Sequence, residues 1–138
     1  MTTLKTGDKA PNFSGFDQNG ATHTLADYKG KKLVVFFYPK ASTPGCTAEA
    51  CDLRDNYNRF QANNYALLGV SADSAKAQAK FIEKFDLPFP LLADEDKSVI
   101  QAFGVWGPKK FMGREYDGIH RTTFVIDENG IIEDIITD

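Results

Sequence analysis

Lys32-Leu33-Val34-Val35-Phe36-Phe37-Tyr38-Pro39-Lys40-Ala41-Ser42-Thr43-Pro44-Gly45-Cys46-Thr47-Ala48-Glu49-Ala50-Cys51 is the stretch whose reading decides the fold. Its β-branched and aromatic run at 32–38 predicts a short central strand buried on both faces. Pro39, which has no N–H to give a sheet ladder, ends that strand. A loop with Pro44 and Gly45 then passes the chain to a helix over 46–63. There Leu53, Tyr57 and Phe60 fall at i, i+4 and i+7, one apolar stripe that leaves Arg54, Asp55 and Arg59 to water.

Upstream, residues 13–17 and 22–25 flank Gln18-Asn19-Gly20, whose Asn-Gly pair offers the positive φ angles of a tight hairpin. Downstream, Tyr65–Ser71 reads as a strand, 74–85 as a helix with Phe81 and Phe85 one turn apart, and Leu91–Ala93 as a short strand. A third helix is expected over 97–103, with Val99 and Phe103 buried. A closing hairpin pairs 121–126 with 131–137 across Asp127-Glu128-Asn129-Gly130, again with Asn-Gly at the turn. This order predicts an α/β fold with a mixed central sheet flanked by helices and an N-terminal β-hairpin. Strand, crossover helix, parallel strand and closing antiparallel hairpin make the thioredoxin-like arrangement.

No repeat, linker or low-complexity segment divides the chain, so residues 1–138 are expected to form a single domain. An apolar fraction of 42% with 12% aromatics can build a core without metal or disulfide staples. A net charge of −3 and a pI of about 5.4 provide no global footprint for nucleic acid or an anionic membrane. The longest apolar run, at 33–37, is far below spanning length, and the N-terminus lacks the apolar stretch of a signal peptide. A cytoplasmic location is the expectation. Two cysteines in such a chain read as reactive or inert rather than structural.

Cys46 opens a helix directly after a strand and a Pro/Gly-containing loop. Unpaired backbone N–H groups and the positive end of the helix dipole surround its sulfur, and both favour the thiolate. Thr43, three residues earlier, can offer its hydroxyl to the thiolate or to a bound peroxide oxygen. Pro39 and Pro44 stiffen the loop and shield the sulfur from bulk water. Arg121, at the start of a later strand, is the candidate cation. Against this stands the general tendency of a lone cysteine near a helix start to be an inert apolar residue.

The pattern Pro39-x-x-x-Thr43-x-x-Cys46 after an apolar strand resembles the active-site signature of peroxiredoxins. The fuller run from Tyr38-Pro39-Lys40 through Thr43-Pro44-Gly45-Cys46-Thr47-x-Glu49-Ala50-Cys51 is similar to the bacterioferritin comigratory (PrxQ) branch. The likeness extends from Gly7-Asp8-Lys9-Ala10-Pro11-Asn12-Phe13 to Gly118-Ile119-His120-Arg121-Thr122-Thr123-Phe124-Val125-Ile126-Asp127. It implies a peroxidase that reduces hydrogen peroxide and organic hydroperoxides, with Cys46 as the attacking residue. Thr43, Gly45 and Arg121 would bind and orient the peroxide beside Cys46, Pro39 would shape the pocket, and Glu49 would support. Cys51 would resolve the oxidised Cys46 as a disulfide, reduced in turn by thioredoxin or, second, glutaredoxin. No cofactor or metal is implied, and a monomer suffices. The resemblance also implies a further C-terminal helix covering the sheet, for which no sequence remains after Asp138. Apolar sheet surface is then expected to lie open, where it can promote association.

In one unbroken helix, five residues separate two Cα atoms by roughly 8 to 9 Å, whereas a disulfide wants them within about 7 Å. Closure therefore requires the first turns to unwind. Rival readings are weaker. A thioredoxin-type reductase has Cys-x-x-Cys, not Cys-x4-Cys. A zinc site lacks ligands, since His23 and His120 are lone and read as structural or exposed. A non-catalytic binding module predicts ordinary thiol reactivity. Trp106, Phe111 and Met112, on a Gly-rich segment, are candidates for pocket lining or core. Arg54, Arg59 and Arg114 read as solvated charges.

Overall fold

The computed structural model describes residues 2–137, and its framework is a mixed sheet assembled around the 32–38 run. In chain order the elements are β1 (Ser14–Phe16), β2 (Thr22–Thr24), a 3-10 turn (Leu25–Tyr28), β3 (Lys32–Phe37), α1 (Pro44–Asp55) and α2 (Tyr57–Ala62). Next come β4 (Tyr65–Ser71), α3 (Ala75–Phe85), β5 (Leu91–Ala93), α4 (Ser98–Ala102), β6 (Trp106–Phe111), β7 (Arg114–Ile119), β8 (Thr122–Ile126) and β9 (Ile132–Thr137). The main sheet runs β5-β4-β3-β8-β9, with β3, β4 and β5 parallel and β8 and β9 antiparallel. This is the predicted thioredoxin-like sheet, and β1 with β2 forms the N-terminal hairpin.

Because strand side chains alternate between faces, β3 feeds two apolar layers. Leu33, Val35 and Phe37 pack with Phe103, Phe124 and Ile126 on one face. Val34, Phe36 and Tyr38 pack with Leu67, Phe81 and the two buried positions of α1, Cys46 and Ala50, on the other. Each such fully buried large side chain stabilises the fold by roughly 1.5–3 kcal/mol. Gly69 of β4 lets the second layer close, since a Cβ there would come 2.5 Å from Leu91 Cδ2 and 2.7 Å from Phe36 Cζ. Gly69→Ala should cost about 1–3 kcal/mol through overpacking. Urea denaturation checks this, and an unshifted midpoint would mean that the core relaxes around the methyl group.

Several expectations are corrected. The helix opens at Pro44 rather than Cys46: Thr43 is its extended N-cap and Pro44, needing no N–H donor, takes the first position. The single helix expected over 46–63 is two, divided at Asn56 (φ −103°, ψ 6°), whose side chain donates to the Asp52 carbonyl and so competes with the helical ladder. The Asn-Gly turns are not made by paired positive φ angles. Only Gly20 and Gly130 are left-handed, while the preceding Asp17 and Asp127 each accept N–H bonds two and four residues on. The aspartate, not the asparagine, organises both turns.

The β6–β7 hairpin has no counterpart among the elements predicted from sequence. Its two-residue turn is Met112-Gly113, both at positive φ, and its tip is solvated: Phe111 is 64% and Met112 86% exposed, so neither belongs to the core. Trp106, at its base, packs against the first apolar layer. Arg54 is not merely solvated, because it donates to the Phe85 carbonyl at 2.7 Å. His23 is structural, bridging the Asp17 carboxylate (2.7 Å) and the Tyr28 hydroxyl (2.8 Å). On the α1–α2 side of the sheet, a groove is lined by apolar Leu53, Phe60, Val125 and Ile136 together with the carboxylates of Glu49 and Asp52.

Candidate active site

The register between β3 and β8 assembles the site. Phe37, the last residue of β3, pairs with Thr122, the first of β8. The residue before Thr122 therefore arrives beside the loop and first helical turn that come after β3. That residue is Arg121. Its Nη2 donates to Cys46 Sγ at 3.0 Å and its Nη1 to Glu49 Oε1 at 3.0 Å, contacts spanning 75 and 72 residues of chain. Cys46 and Glu49 share a helix face because they are three positions apart. The chain just before Arg121 is braced at His120, whose N–H donates to the Val105 carbonyl and whose Nε2 lies 2.9 Å from the Pro108 carbonyl.

Cys46 is 2% exposed, and Arg121 and Glu49 are half-buried. Burial works against the guanidinium charge, but the hydrogen bonds and charges of Cys46 and Glu49 outweigh it and push the Arg121 pKa up. The guanidinium is thus a fixed cation beside the sulfur. The sulfur also occupies the first turn of α1, where N–H groups have no intrahelical partners and the dipole is positive. Both place positive potential at Sγ.

Of the other sequence candidates, Thr43 donates its hydroxyl to the Lys40 carbonyl at 2.8 Å rather than to Cys46, so offering its proton to a peroxide means giving up that bond. Gly45 is exposed against Arg121: a Cβ there would lie 3.5 Å from Nη2, ordinary contact. Pro39 is exposed at the end of β3, directly after the buried Tyr38. Cys51 is half-buried on α1, and both thiols are free. With Cys46 and Cys51 inside one helix, their Cα atoms are held at roughly 8 to 9 Å, beyond disulfide reach. Sequence reasoning missed Asp73, whose Oδ2 accepts the Ala41 N–H at 2.7 Å and so ties down the loop carrying Thr43. Among the described residues no three His, Cys, Asp or Glu side chains gather to hold a metal ion, and no helix is long and apolar enough to cross a membrane.

A buried thiol in the first turn of a helix, with a half-buried arginine on its sulfur, is a site for thiol-based peroxide chemistry. Residues 6–135 match the model of the AhpC/TSA family. Peroxiredoxin Bcp of Escherichia coli is 50% identical over 138 residues, which is all of this chain and 88% of that one. A variant of peroxiredoxin Q from Xylella fastidiosa superposes with a TM-score of 0.92 at 31% identity, covering 99% of this chain and 87% of that one. The bacterioferritin comigratory protein of Xanthomonas campestris, whose structures address its alkyl peroxide reduction activity, gives a TM-score of 0.87 at 32% identity over the same shares. The chain belongs to the AhpC/TSA family and, within it, to the peroxiredoxin Q or bacterioferritin comigratory branch. Its activity is that of a thiol peroxidase.

Proposed function

We propose that the chain reduces hydrogen peroxide and organic hydroperoxides at Cys46 and closes its cycle through Cys51. The Cys46 thiolate attacks the distal peroxide oxygen. An S–O bond forms as the O–O bond breaks, leaving a sulfenic acid, and the departing oxygen takes a proton to leave as water or an alcohol. Charge moves from sulfur toward that oxygen, and Arg121, already on the sulfur, lies along the path of the charge. Glu49 holds the other arm of the guanidinium, so Nη2 stays aimed. Thr43, Gly45 and Pro39 complete the peroxide pocket. The first turns of α1 then unwind, the Cys51 sulfur attacks the sulfenic sulfur, and a disulfide forms as water leaves.

A protein dithiol, thioredoxin before glutaredoxin, then supplies two electrons and restores both thiols. An intrahelical cysteine pair needs no second subunit, which favours a monomer. The residues act as a single domain, and the modestly acidic balance fits a cytoplasmic enzyme with no nucleic-acid or membrane partner. The observation that carries this reading is the Arg121 Nη2–Cys46 Sγ contact at 3.0 Å.

Steady-state peroxide consumption with a thioredoxin system, and separately with glutaredoxin and glutathione, tests it. Wild type should turn over with thioredoxin. Cys51→Ser should react once and then stall on thioredoxin, while still turning over with a small thiol that reaches the sulfenic acid. Undiminished thioredoxin-driven turnover by Cys51→Ser would remove Cys51 from the cycle.

A further inference from the structure

The loop between β3 and α1 is held from behind by a polar network that none of the steps above uses. Asp73, just after β4, accepts from the Ala41 N–H at 2.7 Å and from the Ser71 hydroxyl at 2.6 Å, both on Oδ2. The Ser71 hydroxyl also accepts from Gln78 Nε2 at 2.9 Å, and Gln78 Oε1 accepts from the Tyr38 hydroxyl. Tyr38, Ser71 and Gln78 are fully buried, so β3, β4 and α3 together fix where the carboxylate stands. Tyr38 precedes Pro39 and Ala41 comes after Lys40, so one network pins both sides of the turn that leaves the sheet.

The backbone just beyond Ala41 is strained. Ser42 has φ +64°, a left-handed conformation disfavoured by its Cβ. Thr43 then folds back to Lys40 and accepts the first helical bond, from Thr47 N–H at 2.8 Å. The left-handed residue therefore lies between the clamp and the helix start, and a charge-assisted hydrogen bond holds the backbone on its near side.

The proposed cycle needs α1 wound when Cys46 meets peroxide, because the Arg121–Sγ contact is made with Cys46 in the first turn of the wound helix. It needs α1 unwound when Cys51 closes on Cys46. We infer that Asp73 is a positioning residue for this reaction: by clamping Ala41 it holds strained Ser42 and capping Thr43 in the geometry that starts α1 under Arg121, biasing the enzyme toward its peroxide-reactive form. The closure half of this inference rests on Cys51 being the resolving residue, and the half concerning the reduced enzyme does not.

Asp73→Ala and Asp73→Asn test it through two readouts. In the reduced protein, amide exchange at Thr47 should accelerate about tenfold in Asp73→Ala, the equivalent of one lost charge-assisted bond, while Val35 and Leu68 in the sheet stay at wild-type protection. In rapid mixing with hydrogen peroxide, Cys46 oxidation should slow about tenfold while disulfide closure does not slow, so the ratio of closure to oxidation rises. Asp73→Asn keeps one acceptor oxygen and should fall between wild type and Asp73→Ala; it also carries the test if Asp73→Ala does not fold. An unchanged ratio with unchanged Thr47 exchange, or both rates falling by one common factor, would overturn the positioning role. Should wild type itself form no disulfide, the Cys51 reading fails, and Thr47 exchange alone decides about Asp73.

Discussion

Cys46→Ser is expected to lose peroxide reduction by a factor on the order of 10^4 or more, the scale seen when an enzyme loses its nucleophile. A serine hydroxyl stays protonated, and its oxygen is a poor partner for displacement at an O–O bond. It also has no counterpart to the sulfenic acid, so neither half of the cycle remains. The exchange replaces one atom in a buried first-turn position with Arg121 at hand to bond the new hydroxyl. Thermal stability should therefore stay close to that of wild type, which separates lost chemistry from lost fold. Peroxide consumption with excess dithiothreitol is the assay. Activity within tenfold of wild type would make the other thiol, Cys51, the attacking residue and would reverse the assigned roles.

Arg121→Gln is expected to lower the rate of Cys46 oxidation by about 100- to 1000-fold, the range for removing one preorganised donor from a developing charge. Glutamine can still reach toward Glu49, but it brings no charge to the sulfur and has no second donor arm of the same geometry. Arg121→Lys should not restore the rate. The guanidinium serves Sγ and Glu49 Oε1 with two different nitrogens at 3.0 Å each, whereas an ammonium is a single point of charge on a flexible stem. Glu49→Gln leaves the cation in place but loosens its aim, and a loss of about tenfold is expected, that of one charge-assisted hydrogen bond. Stopped-flow oxidation under pseudo-first-order peroxide measures all three. Equal rates for Arg121→Lys and wild type would show that charge alone matters and that the two-armed geometry does not.

The parts of this enzyme legible in its sequence are those where burial writes a pattern. The run at 32–38 lies between two apolar layers, so every residue is apolar or amphipathic, and the proline that ends it is visible. The Phe81–Phe85 spacing marks α3 for the same reason. The β6–β7 hairpin is illegible because Lys109, Lys110, Glu115 and Asp117 leave neither face apolar, and Met112-Gly113 lacks the Asn or Asp that advertises such a turn. Its remaining signal is Gly113 between two six-residue segments whose only β-formers are Trp106, Phe111, Tyr116 and Ile119.

The site divides in the same way. Cys46, Thr43 and Pro39 are local and can be named from one motif. Arg121 can be proposed as a cation, but its seat on the sulfur depends on the Phe37–Thr122 register, which no local pattern encodes. Glu49 is legible only as an acid near the motif; its pairing with Arg121 spans 72 residues. Asp73 hides in Ser71-Ala72-Asp73-Ser74, where it reads as one more helix-start residue. Ser74 is the actual cap, accepting from Ala77 N–H, which leaves Asp73 to turn toward Ala41.

In the proposed cycle peroxide oxidises Cys46, and Cys51, five residues on in α1, captures it once the first turns unwind. Intact mass of the reduced protein after one equivalent of hydrogen peroxide at neutral pH tests this most directly. A loss of about 2 Da is expected in wild type, absent from Cys46→Ser and from Cys51→Ser, with Cys51→Ser instead gaining about 16 Da or more. A gain of about 16 Da in wild type with no disulfide would contradict the role of Cys51, and an unchanged mass after minutes would contradict the peroxidase itself.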